Sequence, residues 1–132
     1  MADYMEDAFG GWPVSGPDAP IKHILNHIFS CNMLETLAQF LSDTPVFFGR
    51  EVSGITGDPG WSFDRPSPKD PPGEWPEGAD YKAELDPEVY EAPHAFFMSR
   101  ETLFQYIGLA LPIYCARHPD KADKVRALFS AE

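Results

Sequence analysis

Seven prolines crowd residues 61–93: Pro66, Pro68, Pro71, Pro72, Pro76, Pro87 and Pro93. Each fixes its own φ and removes a backbone donor, so a continuous helix or a central strand is not expected there. Trp61, Phe63, Trp75 and Tyr81 are interleaved with them. Simple linkers lack tryptophan, so the stretch reads as an elaborated loop pinned to the remainder of the chain, a Pro-rich insertion over 54–93. Within it, 81–85 reads as a short edge strand.

The flanking segments read as scaffold. Residues 1–17 carry Gly10, Gly11, Pro13, Gly16 and Pro17 and are expected to be irregular, with Phe9 and Trp12 tucked against the core. A helix follows, with Asp18 placed to cap it and Pro20 in its first turn. Ile21, Ile24, Leu25 and Ile28 share one face of it, whereas Met33, Leu37, Phe40 and Leu41 share another. That rotation implies burial on two sides or a break near residues 30–32, and the Asn32-x-x-Glu35 spacing of a capping box favours the break. Pro45 ends the run. Residues 46–53, with Val46, Phe47, Phe48 and Val52, read as a strand, and so do 95–98. Ser99 caps a further helix that is apolar nearly all round over 103–114, as befits a central core helix, with a kink or break expected at Pro112. A last helix near Pro119 buries Ala122, Val125, Leu128 and Phe129. The expectation is an α+β fold: three to four helices on a small, mainly antiparallel sheet, with one long acidic Pro/Trp-containing loop. The 132 residues suit a single domain with one hydrophobic core.

The formal charge of −11 is unevenly distributed. Residues 51–91 hold eleven acids against Arg65, Lys69 and Lys82, while 21–50 are balanced and 92–132 are slightly basic. An acidic surface repels nucleic-acid phosphates and anionic lipid, and it attracts basic partners and speeds their encounter. No nucleic acid and no membrane are therefore expected as partners.

Catalytic signatures are lacking: the chain has no phosphate-binding Gly-Lys-Ser/Thr loop, no G-x-G-x-x-G, no G-x-S-x-G and no Cys-x-x-Cys. His23, His27, Cys31 and Glu35 recur every four residues and would line one stripe of an unbroken helix. Four ligands in one straight row cannot surround a single ion, and a break near residue 30 dissolves the row, so neither metal nor cofactor is expected. Cys31 and Cys115 lie in helix-like apolar surroundings and read as buried thiols of a reducing, cytoplasmic setting. The acidic Met1–Asp7 start lacks the basic residues of a signal peptide.

What remains is recognition. Asp58, Asp64, Asp70, Glu74, Glu77, Asp80, Glu84, Asp86, Glu88 and Glu91 supply a field that draws in a cationic partner. Trp61, Trp75 and Tyr81 supply stiff contact area of the kind that dominates interface energies, and prolines lower the entropy lost on docking. The expectation is a non-catalytic binding domain for a basic protein. By analogy of size and charge, immunity proteins that neutralise nuclease-type bacterial toxins fit best. A nucleic-acid-mimic inhibitor and a chaperone or adaptor for a basic secreted effector are the alternatives. The oligomeric state is left open.

Overall fold

The structure, a computed structural model, describes residues 4–11, 14, 16–42, 45–47, 49–57, 60–66, 75–90 and 94–129. Among these, five helices and two antiparallel sheets form an α+β fold. Trp12 and Phe48 lie outside the described residues.

The amino-terminal segment is less irregular than its glycines imply. Met5–Ala8 forms a single helical turn, α1, and Tyr4, Met5 and Phe9 are buried in the core. Arg117 holds this turn in place, pairing with Asp7 and lying 4.4 Å from the Tyr4 ring centroid.

Helix α2 (Ala19–Ser30) is the centre of the molecule. Its Ile21, Ile24, Leu25, Ile28 and Phe29 are at most 1% exposed, and each such side chain contributes about 1.5–3 kcal/mol by leaving water. Asp18 sits at the amino-terminal cap position, yet its side chain does not cap. Its carboxylate instead pairs with Lys22 at 3.3 Å and accepts from the Tyr106 hydroxyl at 2.5 Å. The helix stops where the apolar face rotates. Asn32 takes φ 57°, and Met33 N–H donates to the Ile28 carbonyl at 2.9 Å, closing a left-handed terminal turn. Helix α3 (Leu34–Phe40) then starts from Met33 with no side-chain cap, so the capping box is not formed. Asn32 is spent on the preceding terminus and accepts from the Tyr114 hydroxyl at 2.8 Å.

The expected strand over 46–53 is instead a small hairpin. β1 (Val46–Phe47) pairs with β2 (Arg50–Glu51), turning at Gly49 with φ 77°. The main sheet is built largely from the stretch read as an insertion. β3 (Gly54–Gly57), β4 (Trp61–Asp64), β5 (Tyr81–Leu85) and β6 (Ala95–Met98) form an antiparallel meander in that order. The exclusion of a central strand from 61–93 is therefore overturned: β4 and β5 are the two central strands. The prolines do not prevent this because none falls inside either strand; Pro66 and Pro87 each lie two residues beyond an end, and Pro76 stands five residues before β5. Leu85 N–H donates to the His94 carbonyl and Arg65 N–H to the Ser53 carbonyl, both at 2.7 Å, so the ladder continues past the strand ends.

Ser99 caps α4 (Arg100–Arg117), its hydroxyl accepting from Thr102 N–H. The helix runs unbroken through Pro112, which faces solvent, and the residue four before it is Gly108, with open space where a side chain would stand. Burial is confined to Leu103, Ile107, Ala110, Tyr114 and Cys115, while Leu109 is 51% exposed. α4 is thus a flanking helix, and α2 holds the central place assigned to it from sequence. Helix α5 (Ala122–Leu128) buries Ala122 and Val125 beside α3 and α4.

Two arginines tie sheet to helices. Arg65 Nη1 donates to the Phe40 and Ser42 carbonyls at 3.0 and 2.5 Å, and Arg100 Nη1 to the Leu41 carbonyl at 3.0 Å. Both cations sit at the carboxyl end of α3, where unpaired carbonyls and the helix dipole favour positive charge. Among the described residues no helix is long and apolar enough to cross a membrane.

Candidate functional site

The side chains of the main sheet alternate between two faces. Trp61, Phe63, Tyr81, Ala83, Leu85 and Met98 are buried on the face that meets α2. The opposite face carries Thr56, Ser62, Asp64, Lys82, Glu84, Ala95 and Phe97, all exposed or half-exposed. Register places Asp64 opposite Lys82, Ser62 opposite Glu84 and Lys82 opposite Phe97. Lys82 Nζ lies 3.5 Å from a Glu84 carboxylate oxygen and 5.5 Å from the Phe97 ring centroid. Trp75 meets Phe97 edge to face, with ring centroids 5.2 Å apart. The outer face thus presents two aromatic rings beside a band of mixed charge in which acid predominates.

Carboxylates gather around β5. Between residues 75 and 90 the chain carries Glu77, Asp80, Glu84, Asp86 and Glu88 against Lys82 alone. Glu77, Asp86 and Glu88 are exposed, and Glu84 has a side-chain exposure of 47%. Asp86 Oδ1 accepts from Glu88 N–H at 2.9 Å, which shapes the turn after β5 and directs both side chains outward. Asp80 has a structural task. Its Oδ2 accepts from Arg100 N–H at 2.8 Å, placing a carboxylate at the positive end of α4.

Two residues expected at the docking surface belong to the core. Trp61 is 3% exposed and Tyr81 2% exposed. Both point inward because they share strand parity with Phe63, Ala83 and Leu85. Tyr81 stacks on Phe63 at 5.5 Å and accepts from Arg100 at 2.7 Å. Burial raises its pKa, against the lowering pull of Arg100 and Arg65. Asp58, Asp70, Glu74 and Glu91 lie outside the described residues. Of the expected residues, Asp64 and Glu84 lie on the outer face and Trp75 meets Phe97 there, while Glu77 precedes β5 and Asp86 and Glu88 follow its other end. The structure adds Phe97, and it sets Lys82, counted among the three bases of 51–91, between Glu84 and that ring. The signal for Phe97 was the alternation Ala95-Phe96-Phe97-Met98, which sends Phe97 to the face opposite buried Met98.

A groove of about 340 Å³ opens at the end of β4 and β5, lined by Gly57, Trp61, Ser62, Glu84 and Asp86 among others. The Trp61 indole lies across Gly57, whose missing side chain makes the room. The indole N–H is buried and has no acceptor among the described residues.

The histidine row does not assemble. His23 meets Tyr90 edge to face at 4.8 Å and His27 meets Trp61 at 5.6 Å, while Glu35 is on α3, paired with Lys124 at 2.6 Å. Burial lowers the His23 pKa. Among the described residues no three His, Cys, Asp or Glu side chains gather as a metal site. Cys31 is exposed, contrary to its apolar sequence setting, because the chain turns there at the end of α2; Cys115 is buried, and both are free thiols. Comparison with protein-family models, with curated proteins and with solved structures finds no match to this chain.

Proposed function

We propose that this chain is a non-catalytic binding domain for a basic protein, and that it acts as an immunity protein neutralising a nuclease-type toxin in the cytoplasm. The observation that supports the reading most is the outer face that carries Trp75 and Phe97 together with Asp64 and Glu84, continued past the end of β5 by exposed Asp86 and Glu88. Grouped carboxylates raise the encounter rate with a cationic surface, and adjoining aromatic area supplies short-range affinity. A nuclease is a fitting target because a polyanionic substrate demands a basic cleft. Lys82 pairs with Glu84, whereas Arg65 and Arg100 donate to the α3 carbonyls.

The test is copurification from the native host with mass spectrometry of what accompanies the chain. The expected result is one basic protein, in one-to-one complex, released by salt and toxic when expressed without this chain. Recovery of several unrelated DNA-binding proteins points instead to nucleic-acid mimicry, and recovery of no basic protein contradicts the proposal.

A further inference from the structure

β3 and β6 are the outer strands of the main sheet. Hydrogen-bonded and open pairs alternate along an antiparallel ladder, so the register shows which backbone groups each outer strand turns away from the sheet. Arg65 N–H donates to the Ser53 carbonyl at 2.7 Å, and the same register sets Ile55 opposite Phe63 and Gly57 opposite Trp61. Ile55 and Gly57 therefore exchange bonds with β4, while Gly54 and Thr56 direct their N–H and C=O groups outward. Among the described residues no other strand pairs with β3, and no other element packs on it as β4 does. The strand holds no proline, no charged residue and no bulge, the features by which outer strands refuse a further neighbour. The second, independent observation is the charge set beside these groups. The Asp64 carboxylate leans across Gly54 into the space of its missing side chain, so it stands over the open edge on the outer face. Thr56 is exposed on that same face, whereas Ile55 is half-buried and packed against the core.

We infer that β3 takes up an extended segment of the basic partner as a fifth strand, one whose side chains alternate between basic and apolar. The inference rests on reading the chain as a binder of a basic protein. The segment lies roughly 4.8 Å from β3 and pairs its backbone with Gly54 and Thr56. Its basic side chains fall on the outer face beside Asp64, and its apolar ones fall beside Ile55 and extend the core. The opposite edge is a poorer host. Leu85 N–H donates to the His94 carbonyl, so β6 turns Ala95 and Phe97 outward, and Lys82 Nζ lies 5.5 Å from the Phe97 ring centroid. A basic strand meets a cation there. A second copy of this chain is a poorer occupant, since β3 against β3 sets two Asp64 carboxylates on one seam between bodies of formal charge −11.

The probe is an acetylated, amidated hexapeptide of alternating lysine and valine. It is titrated into the full chain while backbone amide shifts and hydrogen exchange are followed by two-dimensional NMR. The expected result is saturable binding in roughly the millimolar range, weakened by salt, with exchange at Gly54 and Thr56 slowed at least about tenfold. Thr56→Pro deletes an outward donor and leaves the β4 ladder alone, at a position where an outer strand tolerates proline. It is expected to bind the peptide about tenfold more weakly or worse. Asp64→Asn is expected to keep the protection at Gly54 and Thr56 with lower affinity and a shallower salt dependence. Should Thr56→Pro fail to fold, a lysine–valine peptide with every amide N-methylated makes the same test on the parent chain, and it is expected not to bind. The glutamate–valine peptide is expected not to bind either.

Unchanged exchange at Gly54 and Thr56 under excess peptide, or equal binding of the N-methylated or the glutamate peptide, overturns the inference. A chain that dimerises by itself with those two amides protected also overturns it, in favour of a second copy. If a basic protein is recovered from the host and its complex leaves both amides as in the free chain, only the strand addition fails. If the peptide adds to β3 and the host yields no basic protein, the edge stands as a strand acceptor and the toxin-neutralising reading fails.

Discussion

Arg100 donates from one guanidinium nitrogen to both the Tyr81 hydroxyl, at 2.7 Å, and the Leu41 carbonyl, at 3.0 Å. Three elements distant in sequence meet at that nitrogen: the first turn of α4, the central strand β5 and the end of α3. Hydrogen bonds from a charged donor contribute about 1.5–3 kcal/mol, and removing the donor leaves a buried hydroxyl and a helix-terminal carbonyl without their partner. Arg100→Met is therefore expected to cost about 2–3 kcal/mol in urea unfolding. Arg65→Met is expected to be similarly damaging, because it strips two further carbonyls at the same helix end.

Tyr106 donates to Asp18, and its pKa is pushed up to about 12 by burial first and by the Asp18 carboxylate second. Burial likewise raises Tyr4, Tyr81, Tyr90 and Tyr114. A raised folded pKa favours the neutral phenol, so the stability it contributes is full below the unfolded value near 10. That contribution is lost as pH climbs from about 10 through about 12. Tyrosinate absorbance of the native protein is expected to develop later than in urea, and Tyr106→Phe is expected to remove the latest phase.

Gly57 and Trp61 are register partners, and the indole occupies the space above the glycine Cα. A methyl group placed there overlaps the six-membered ring of a core tryptophan that has no room to withdraw. Gly57→Ala is expected to cost about 1–3 kcal/mol, read as a lower urea midpoint at unchanged slope. Gly60→Ala meets the Asp86 and Val89 side chains instead, which lie on the exposed turn and can yield, so the smaller loss is expected there.

Asp80 and Glu88 are both exposed acids on either side of β5, yet their charge reversals are expected to differ. Asp80→Lys deletes the acceptor for Arg100 N–H and puts a cation at the positive end of α4, at a cost of about 1–2 kcal/mol. Glu88→Lys touches no such partner and is expected to stay within about 0.5 kcal/mol of the parent. Thermal unfolding of the two variants side by side checks the contrast.

The elements with a clean period were legible in the sequence. The α2 face, the break after Ser30, the Ser99 cap and the spans of the strands Tyr81–Leu85 and Ala95–Met98 stand where the pattern of residues puts them, although Tyr81–Leu85, expected at an edge, is central. The hairpin β3–β4 was hidden by its glycines. Gly54 and Gly57 look like turn formers, but they serve as floors on which the Asp64 and Trp61 side chains lie. That requirement exists only across strands, between residues that local patterning does not connect. The same blindness misplaced Trp61 and Tyr81, since charge and aromatic content reveal nothing of strand parity. α4 misled in the opposite sense: its apolar sequence implied burial all round, whereas the neighbouring elements cover one stripe and leave Leu109 in solvent.

The central claim is that the carboxylates around β5 bind a basic protein. Its most direct test is calorimetric titration of the copurifying partner into the parent chain and into Glu77→Gln/Asp86→Asn/Glu88→Gln, each at low and at physiological salt. The substituted groups are solvent-facing, so folding is expected to be unaffected. The expected result is one-to-one binding to the parent that weakens with salt, and at least about tenfold weaker, less salt-sensitive binding to the variant. Equal affinity and equal salt dependence for the two proteins would contradict the account.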